Sequence, residues 1–258
     1  MDGRGPLVTK LSRFIPLSDE DVRVLDALCL NEERFEADTD IVRQGDVPRS
    51  AFVLTQGMAF RYRLMPDGKR QILNFMIPGD IFGLLAFLLR AMDHSIATLV
   101  PTRIAPIARD TVFDLFGHHP RIGAALWWAA LQEEAINRER IVALGRRSAR
   151  GRVAYLLCEL VWRQRAVGLA EDDAIRLPLT QVGLADTLGL TSVHVNRILQ
   201  GFRRDNLIAL AHHRLTLLDV GRLQKIAGFN QDYLHLDGAT AEVRSYIDAL
   251  QRNRRGVC

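Results

Sequence analysis

The pattern of apolar and polar positions changes character along the chain. Residues 14–30 carry apolar residues at helical spacing, with Ser18 in front of them as a residue type that favours helix N-caps. From about residue 33 to residue 109, short apolar stretches alternate with Gly, Pro and Asp. Such spacing is typical of an antiparallel barrel or roll, and Pro66-Asp67-Gly68 predicts a hairpin turn within it.

From His119 to about Arg147 the pattern becomes helical again, and two apolar stripes follow this helix. The first stripe comprises Ile122, Leu126, Ala129, Glu133, Ile136, Arg140 and Ala143, and the second comprises Trp127, Leu131, Ala135 and Val142. A helix with two such faces has two surfaces to pack against, so we expect one face to cover the roll and the other to meet a second copy in a dimer. Asp at Leu126 or Ile136 is expected to weaken that dimer. Burial of the whole helix within one chain is the alternative.

The C-terminal half predicts a helix at about 149–166, an acidic loop at 171–173 and then a helix-turn-helix within residues 177–208. Thr180 is suited to cap a short helix that ends at Leu188, where Gly189 supplies left-handed backbone. Thr191 is suited to cap a second helix that runs to about Asp205. Two strands around residues 211–213 predict a wing, two short helices are expected in 221–250, and a frayed basic tail in 251–258.

The second helix of this pair carries side chains suited to reading DNA. Arg can bind guanine, and Asn adenine, through two hydrogen bonds in the major groove, which favours Arg197 and Asn196 as base contacts. Arg203 and Arg204 at the end of the helix are better suited to phosphates, and Gln200 is expected on the outer side of the helix. The predicted DNA-binding residues are Thr180, Gln181, Thr191, Ser192, His194, Asn196, Arg197 and Arg203. A helical hairpin without a nucleic-acid role is the alternative.

The charge distribution changes the picture further. The net charge is +4, but residues 1–145 carry 17 Lys and Arg against 19 Asp and Glu, whereas residues 146–258 carry 17 against 11. A basic C-terminal half favours a polyanionic partner, and an ordinary solvated basic surface is the alternative.

Three segments, taken in order, resemble the Crp/Fnr family of bacterial transcriptional regulators. They are FEADTDIVRQGDVPRSAFVLTQGMAFRYRLMPDGKRQILNFMIPGDIFG, ALGRRSARGRVAYLL and LTQVGLADTLGLTSVHVNRILQGFRRDNLI. The resemblance implies an α+β fold with an N-terminal double-stranded β-helix (jelly-roll) effector domain in residues 1–118 and a dimerisation helix in 119–147. It further implies a winged helix-turn-helix in 148–222, followed by a C-terminal helical extension in 223–258. The implied partners are a two-fold symmetric site in double-stranded DNA, a second copy of the chain, and RNA polymerase if the protein is an activator.

The resemblance also draws attention to the effector. Members that bind cyclic AMP have a Gly-Glu pair for the ribose and a following Arg for the phosphate, whereas this chain has Gly83-Leu84 and no Arg in residues 91–102. The apolar run 81–89 favours one of two alternatives, an apolar or haem-like ligand or a roll filled by its own side chains. We therefore expect that cyclic AMP is not the effector. The sequence does not identify a cofactor. The candidate effector pocket is Gly79, Gly83, Leu84, His94, Ser95 and Trp127, with core packing as the alternative for Trp127 and Trp128.

Other functional classes have weaker support in the sequence. A metal-dependent cupin enzyme needs a cluster such as His-x-His, but no such motif occurs and His94 is the only histidine inside the predicted roll. We therefore predict neither catalytic residues nor a metal site; a dimeric small-molecule-binding roll protein is the other alternative. The three cysteines form no CxxC pair, which disfavours a disulfide framework or a zinc site. No apolar run reaches the roughly 18–20 residues of a membrane span, and the N-terminus lacks the apolar stretch of a secretory signal, so a cytoplasmic location is expected.

Overall fold

The structure is a computed structural model that describes residues 4–84 and 86–255. The chain divides into two compact units. The first unit comprises residues 1–59, 76–134 and 235–258, and the second comprises residues 60–75 and 135–234. Each unit is therefore assembled from segments that are distant in sequence.

The predicted roll is present. Its strands are β1 (Glu33–Phe35), β2 (Asp40–Val42), β3 (Ser50–Gln56), β4 (Ala59–Leu64), β5 (Arg70–Met76), β6 (Ile81–Phe82), β7 (Ser95–Thr98) and β8 (Thr102–Ala108). Within the first unit, β3 pairs antiparallel with both β6 and β8, β8 also pairs with β1, and β2 pairs antiparallel with β7. The β4–β5 hairpin turns at Gly68, as predicted, but its residues 60–75 belong to the second unit.

Short helices flank the strands of the first unit. The predicted N-terminal helix is α2 (Asp19–Leu28), and Ser18 caps it by accepting the Asp21 N–H at 3.2 Å. The sequence analysis missed α1 (Pro6–Leu11), which is too short to show a period, although Leu7, Val8 and Leu11 are buried. It also assigned residues 109–118 to the roll, where the structure has α3 (Arg109–His118) with a buried apolar pair at helical spacing.

The long helix is α4 (Pro120–Arg146), and its two stripes have different environments. The first stripe is buried within the chain except for the half-buried Glu133. In the second stripe, Trp127, Leu131 and Val142 are exposed and Ala135 is buried. An Asp at Leu126 or Ile136 is therefore not a test of dimerisation, because both side chains lie in the core and a charge there would unfold the chain. Core packing is the correct interpretation for Trp128, which stacks on Phe14 at 5.5 Å, and the wrong one for Trp127.

The second unit contains the remaining predicted elements and one strand that was not predicted. They are α5 (Ala149–Ala166), β9 (Ala174–Arg176), α6 (Gln181–Leu188), α7 (Ser192–Arg204), β10 (Ile208–Ala211), β11 (Arg214–Leu217) and α8 (Val220–Ala227). Strand β11 pairs antiparallel with β10 on one side and with β9 on the other, so the wing has a third strand that the sequence analysis did not predict. Helix α5 is buried on nearly all sides, which explains why its sequence lacks a clear polar face.

A buried ionic cluster joins α4, α5 and β5 within the second unit. Glu159 is fully buried and accepts from Arg140 Nη2 at 3.2 Å and from Arg163 Nη1 at 3.4 Å. Arg163 also donates to the side chain of Asn74 at 3.3 Å and to the carbonyl of Phe75 at 2.9 Å. The cluster therefore attaches the β4–β5 hairpin to the helices.

The end of the described chain packs with the first unit. Helix α9 (Ala241–Arg255) buries Ile247 in that unit's core, and Asp248 accepts from Arg121 Nη2 at 2.7 Å. The Ala239 N–H donates to the Phe14 carbonyl at 2.7 Å. The two short helices predicted for residues 221–250 correspond to α8 and α9, but the predicted frayed tail is wrong for residues 251–255, which are helical. Residues 256–258 lie outside the described chain.

Candidate nucleic-acid interface

The first helix of the helix-turn-helix is α6, and its ends form as the sequence predicts. The Thr180 hydroxyl accepts the Gly183 N–H at 3.0 Å and so satisfies one of the free donors of the first turn. Gly189 ends the helix at φ 61°, a left-handed conformation that a β-carbon disfavours. Leu184, Ala185 and Leu188 are buried, which directs the apolar side of α6 into the unit.

The second helix, α7, begins after Thr191, whose hydroxyl accepts the His194 N–H at 3.2 Å. Its apolar side is buried and comprises Val195, Ile198, Leu199 and Phe202. Its opposite side is exposed and comprises Val193, His194, Arg197, Gln200, Arg203 and Arg204. Helix α7 therefore presents a mostly polar, basic face to solvent while its other face anchors it.

The β4–β5 hairpin holds α6 from within the same unit. Arg70 Nε contacts Asp186 Oδ2 at 3.0 Å, and the Gln71 side chain donates to the Thr187 carbonyl at 3.2 Å. From α5, Arg152 donates to the Leu188 carbonyl at 3.1 Å. These contacts occupy the acidic side chain of α6 and fix the C-terminal end of that helix, which carries the turn and hence α7.

Arginines around α7 fall into two groups. Arg150 is paired with Asp205 at 2.6 Å, and Arg214 with Glu171 at 2.7 Å. Arg197, Arg203 and Arg204 have no carboxylate within 4.0 Å in the part of the chain that the structure describes. Their positive charge is therefore available to a polyanion.

The wing, which follows α7 in the sequence, has two histidines at its tip. His212 and His213 form the turn between β10 and β11 at φ 49° and 58°, and both are exposed. Positive φ at both central positions is the geometry of a tight two-residue hairpin turn.

The structure places all eight predicted DNA-binding residues on α6, α7 or their caps. Six of them are exposed, and Ser192 and Asn196 are partly exposed. The predicted set did not include Val193, Gln200 or Arg204. Gln200 was nevertheless expected on the outer side of α7 and Arg204 among the phosphate contacts, and both are exposed, as is Val193.

A cavity of about 410 Å³ lies in the first unit, between β2, β3, β6, β7 and the loops that join them. Its walls are mostly apolar and include Phe52, Phe82, Met92 and Ile96, with Asp46, Arg49 and Ser50 as the polar lining residues. The roll is therefore not completely filled by its own side chains, which favours the ligand alternative. Arg49 was not predicted as a lining residue, because it precedes β3, whereas the family pattern places its arginine after β6.

Of the six predicted effector-pocket residues, Gly83 lines this cavity and the other five do not. Gly79 has φ 92° and packs on Pro6, where a β-carbon would lie 2.6 Å from the carbonyl oxygen. Leu84 is buried, and His94 contacts Asp93 at 2.6 Å. Ser95 Oγ accepts the Gln44 N–H at 2.9 Å. Trp127 is exposed on α4.

Comparison with known proteins identifies two family domains in the chain. The family "Cyclic nucleotide-binding domain" matches residues 32–119, and the family "Crp-like helix-turn-helix domain" matches residues 151–226. The chain is 30% identical over 194 residues to the nitrogen fixation regulation protein FixK of Bradyrhizobium diazoefficiens, covering 75% of this chain and 80% of that protein. It is also 30% identical over 202 residues to the transcriptional activator protein FnrL of Cereibacter sphaeroides, covering 77% and 81%.

A solved structure agrees on the fold. FixK2 from Bradyrhizobium japonicum has a TM-score of 0.70 at 24% identity, covering 78% of this chain and 98% of that one. Among the helices of residues 4–84 and 86–255, none has the length and apolar character needed to cross a bilayer.

Proposed function

Because the chain belongs to the Crp/Fnr family of DNA-binding transcriptional regulators and carries a sensing domain of the cyclic nucleotide-binding type, we propose that it binds a two-fold symmetric DNA site as a homodimer. Each subunit inserts α7 into the major groove. Arg197, Asn196 and His194 contact base edges, and Arg203 contacts phosphates. The caps Thr180 and Thr191, with Gln181 and Ser192, contact the DNA backbone at the helix N-termini, and Ser192 is also a candidate base contact.

The exposed basic face of α7 carries this proposal. Three arginines on that helix lack a carboxylate partner among the described residues, while the apolar side of the helix is packed into the unit. A helix that is anchored on one side and positively charged on the other matches the shape and charge of the major groove.

The dimer that we propose forms through the exposed stripe of α4. Trp127, Leu131 and Val142 recur at helical spacing on a helix whose other stripe is already buried. Solvent exposure of large apolar side chains in a row is typical of an interaction surface.

The function is divided between a sensing roll (1–118), a dimerisation helix (119–147), a winged helix-turn-helix (148–222) and a C-terminal extension (223–258). RNA polymerase is the further partner if the protein activates transcription, and no catalytic step is part of this function.

Selection of bound sequences from random duplex DNA tests the proposal. We expect a palindromic site whose half-sites are centred about 10 base pairs apart. Affinity for that site should fall steeply with salt, because phosphate contacts release counterions. Enrichment of no sequence, or of a site without two-fold symmetry, would contradict the proposal.

We also propose that the cavity in the roll is the effector site and that its ligand is not cyclic AMP. The apolar walls suit a ligand with a largely apolar body. Asp46 and Arg49 in the lining suit one charged or polar group on that ligand. Leu84 follows Gly83 and has no acceptor for a ribose hydroxyl. Burial of that hydroxyl without a hydrogen-bond partner would be costly, which disfavours cyclic AMP.

Calorimetry with millimolar cyclic AMP and cyclic GMP tests this effector proposal. We expect no binding as tight as about 10 µM for either nucleotide. A tighter dissociation constant for cyclic AMP, coupled to stronger DNA binding, would show that Arg49 or another group replaces the missing family residues.

A further inference from the structure

Val193 is an apolar residue on the exposed side of α7. Its side chain is 59% exposed, although the other apolar residues of the same helix, Val195, Ile198, Leu199 and Phe202, are buried. Val193 stabilises neither the core nor the helix, because β-branched residues are only moderate helix formers and Thr191 supplies the cap. Val193 is therefore available for a contact outside the chain.

The position of Val193 on the helix is defined by its period. Val193, Arg197 and Gln200 are separated by four and three residues and therefore share one stripe of α7. One helical turn advances about 5.4 Å, whereas successive base pairs are about 3.4 Å apart. A side chain one turn from Arg197 therefore faces a base pair that is one or two steps from the one Arg197 contacts.

The surroundings of Val193 match DNA better than an apolar protein surface. Arg197, Arg203 and Arg204 lie on the exposed side of the same helix and carry no carboxylate partner among the described residues. The main apolar group on base edges in the major groove is the C5-methyl of thymine. An exposed isopropyl group on the same side of the helix as these cations is therefore complementary to a thymine on a negatively charged duplex.

We propose that Val193 reads the methyl group of a thymine that lies one or two base pairs from the base contacted by Arg197. This inference rests on the proposed function, since it requires α7 to enter the major groove. It adds a residue to the candidate interface and predicts the class of base that the residue selects.

Replacing thymine by uracil removes only the methyl group and is the direct test. The selected palindrome is the parent duplex. Each thymine of either half-site is changed to uracil one at a time, and the affinity for each duplex is measured by fluorescence anisotropy. We expect one position per half-site, one or two steps from the Arg197-dependent base, at which uracil weakens wild-type binding about fourfold, the value for loss of one buried methyl-sized contact.

Two variants complete the experiment. Val193→Ser should bind the thymine and uracil duplexes equally. Because both subunits of the dimer carry the change, it should lose about fourfold per half-site, and therefore about sixteenfold in all, on the thymine duplex. Val182→Ser is the matched control, because Val182 is also the second residue of a helix and is 56% exposed; it should keep the wild-type response to uracil. Ser and Val have similar helix propensities, so helix stability is not the variable.

The outcomes separate the inference from the function on which it rests. If the wild-type protein enriches a palindrome but tolerates uracil everywhere, or if Val193→Ser keeps the uracil response, the inference is overturned and the proposed function stands. A loss of that response in Val182→Ser also overturns it. If the wild-type protein enriches no sequence, both fail.

Discussion

Arg197 and Arg203 lie on the same exposed side of α7, but they occupy different positions along it. Arg197 is in the second turn and shares a stripe with Val193 and Gln200, whereas Arg203 is next to the C-terminal residue of the helix. Recognition helices contact base edges mainly through their N-terminal residues. The two arginines are therefore expected to contribute different components of DNA binding.

Arg197→Ala should reduce affinity for the preferred site by about 1–3 kcal/mol and relax the base preference at one position, because a bidentate contact to a base is lost. The measurement is competition between the selected site and single-base variants of it. If Arg197→Ala altered only the salt dependence and left selectivity unchanged, the base contact would belong to another residue.

Arg203→Ala should instead weaken binding to all sequences alike and reduce the slope of log affinity against log salt by about one for each subunit of the dimer. Titrations from low to moderate salt on the selected site and on unrelated DNA provide the measurement. A change in sequence preference in this variant would assign Arg203 to base recognition instead.

The thiols of the described chain are predicted to be unreactive. Burial raises the pKa of Cys158 to about 12, and burial together with the nearby carboxylates of Asp26 and Glu32 raises the pKa of Cys29 to about 11. A thiol whose pKa is raised above its ordinary value has less thiolate at any pH below that value, and the thiolate is the reactive form.

Mass-spectrometric labelling with iodoacetamide at pH 8 checks the thiols. Peptides with Cys29 and Cys158 should remain unmodified in the native protein and become modified after unfolding in denaturant. Rapid modification of Cys158 in the folded protein would contradict the burial on which its raised pKa depends.

At the scale of elements, caps and turns have local causes and were predictable. Ser18, Thr180 and Thr191 cap the helices that follow them, and Gly189 ends α6, as their residue types indicate. Helix α3 was not predicted, because it follows Ala108 and has no capping side chain to mark its start. Strand β9 was not predicted, because three residues carry too short a pattern to separate from a loop. These elements form because their neighbours bury them.

The ionic cluster around Glu159 has its effect at this scale, because it joins α4, α5 and β5. Glu159→Gln should destabilise the folded chain by about 3–5 kcal/mol, since Arg140 and Arg163 would keep buried charges without a counterion. Urea unfolding measures the change in free energy of unfolding. Glu242→Gln on the exposed surface of α9 is the control and should change it by less than about 0.5 kcal/mol. A loss below about 1 kcal/mol for Glu159→Gln would mean that water reaches the two arginines.

At the scale of the whole molecule, the proposed association through α4 is expected to decide how DNA is bound. Leu131→Asp should produce a folded monomer, because Leu131 is 47% exposed and belongs to the exposed stripe of α4 and not to the core. DNA affinity should fall more than about tenfold, because a monomer contacts only one half-site. Sedimentation at micromolar concentration and anisotropy on the palindrome measure the two effects.

Leu30→Asp is the matched control for this prediction, because Leu30 is 77% exposed and lies outside α4. It should remain dimeric and bind DNA as the wild type does. A dimer that persists in Leu131→Asp, or a wild-type monomer that binds the palindrome tightly, would place the interface elsewhere.

The sequence alone determined those features of the molecule that depend on residues close together in the chain. The helical periods of α2, α4 and α7, the caps, the hairpin turn at Gly68 and the exposed side of the recognition helix follow from such local patterns. Tertiary structure decided which stripe of α4 is buried, which residues line the cavity, and that the β4–β5 hairpin contacts α6 through Arg70 and Asp186. It also decided that α9 returns to the first unit. The physical reason is that burial and pairing depend on which distant segments meet in space, and a pattern along one chain records only that a residue needs a neighbour, not which neighbour it has.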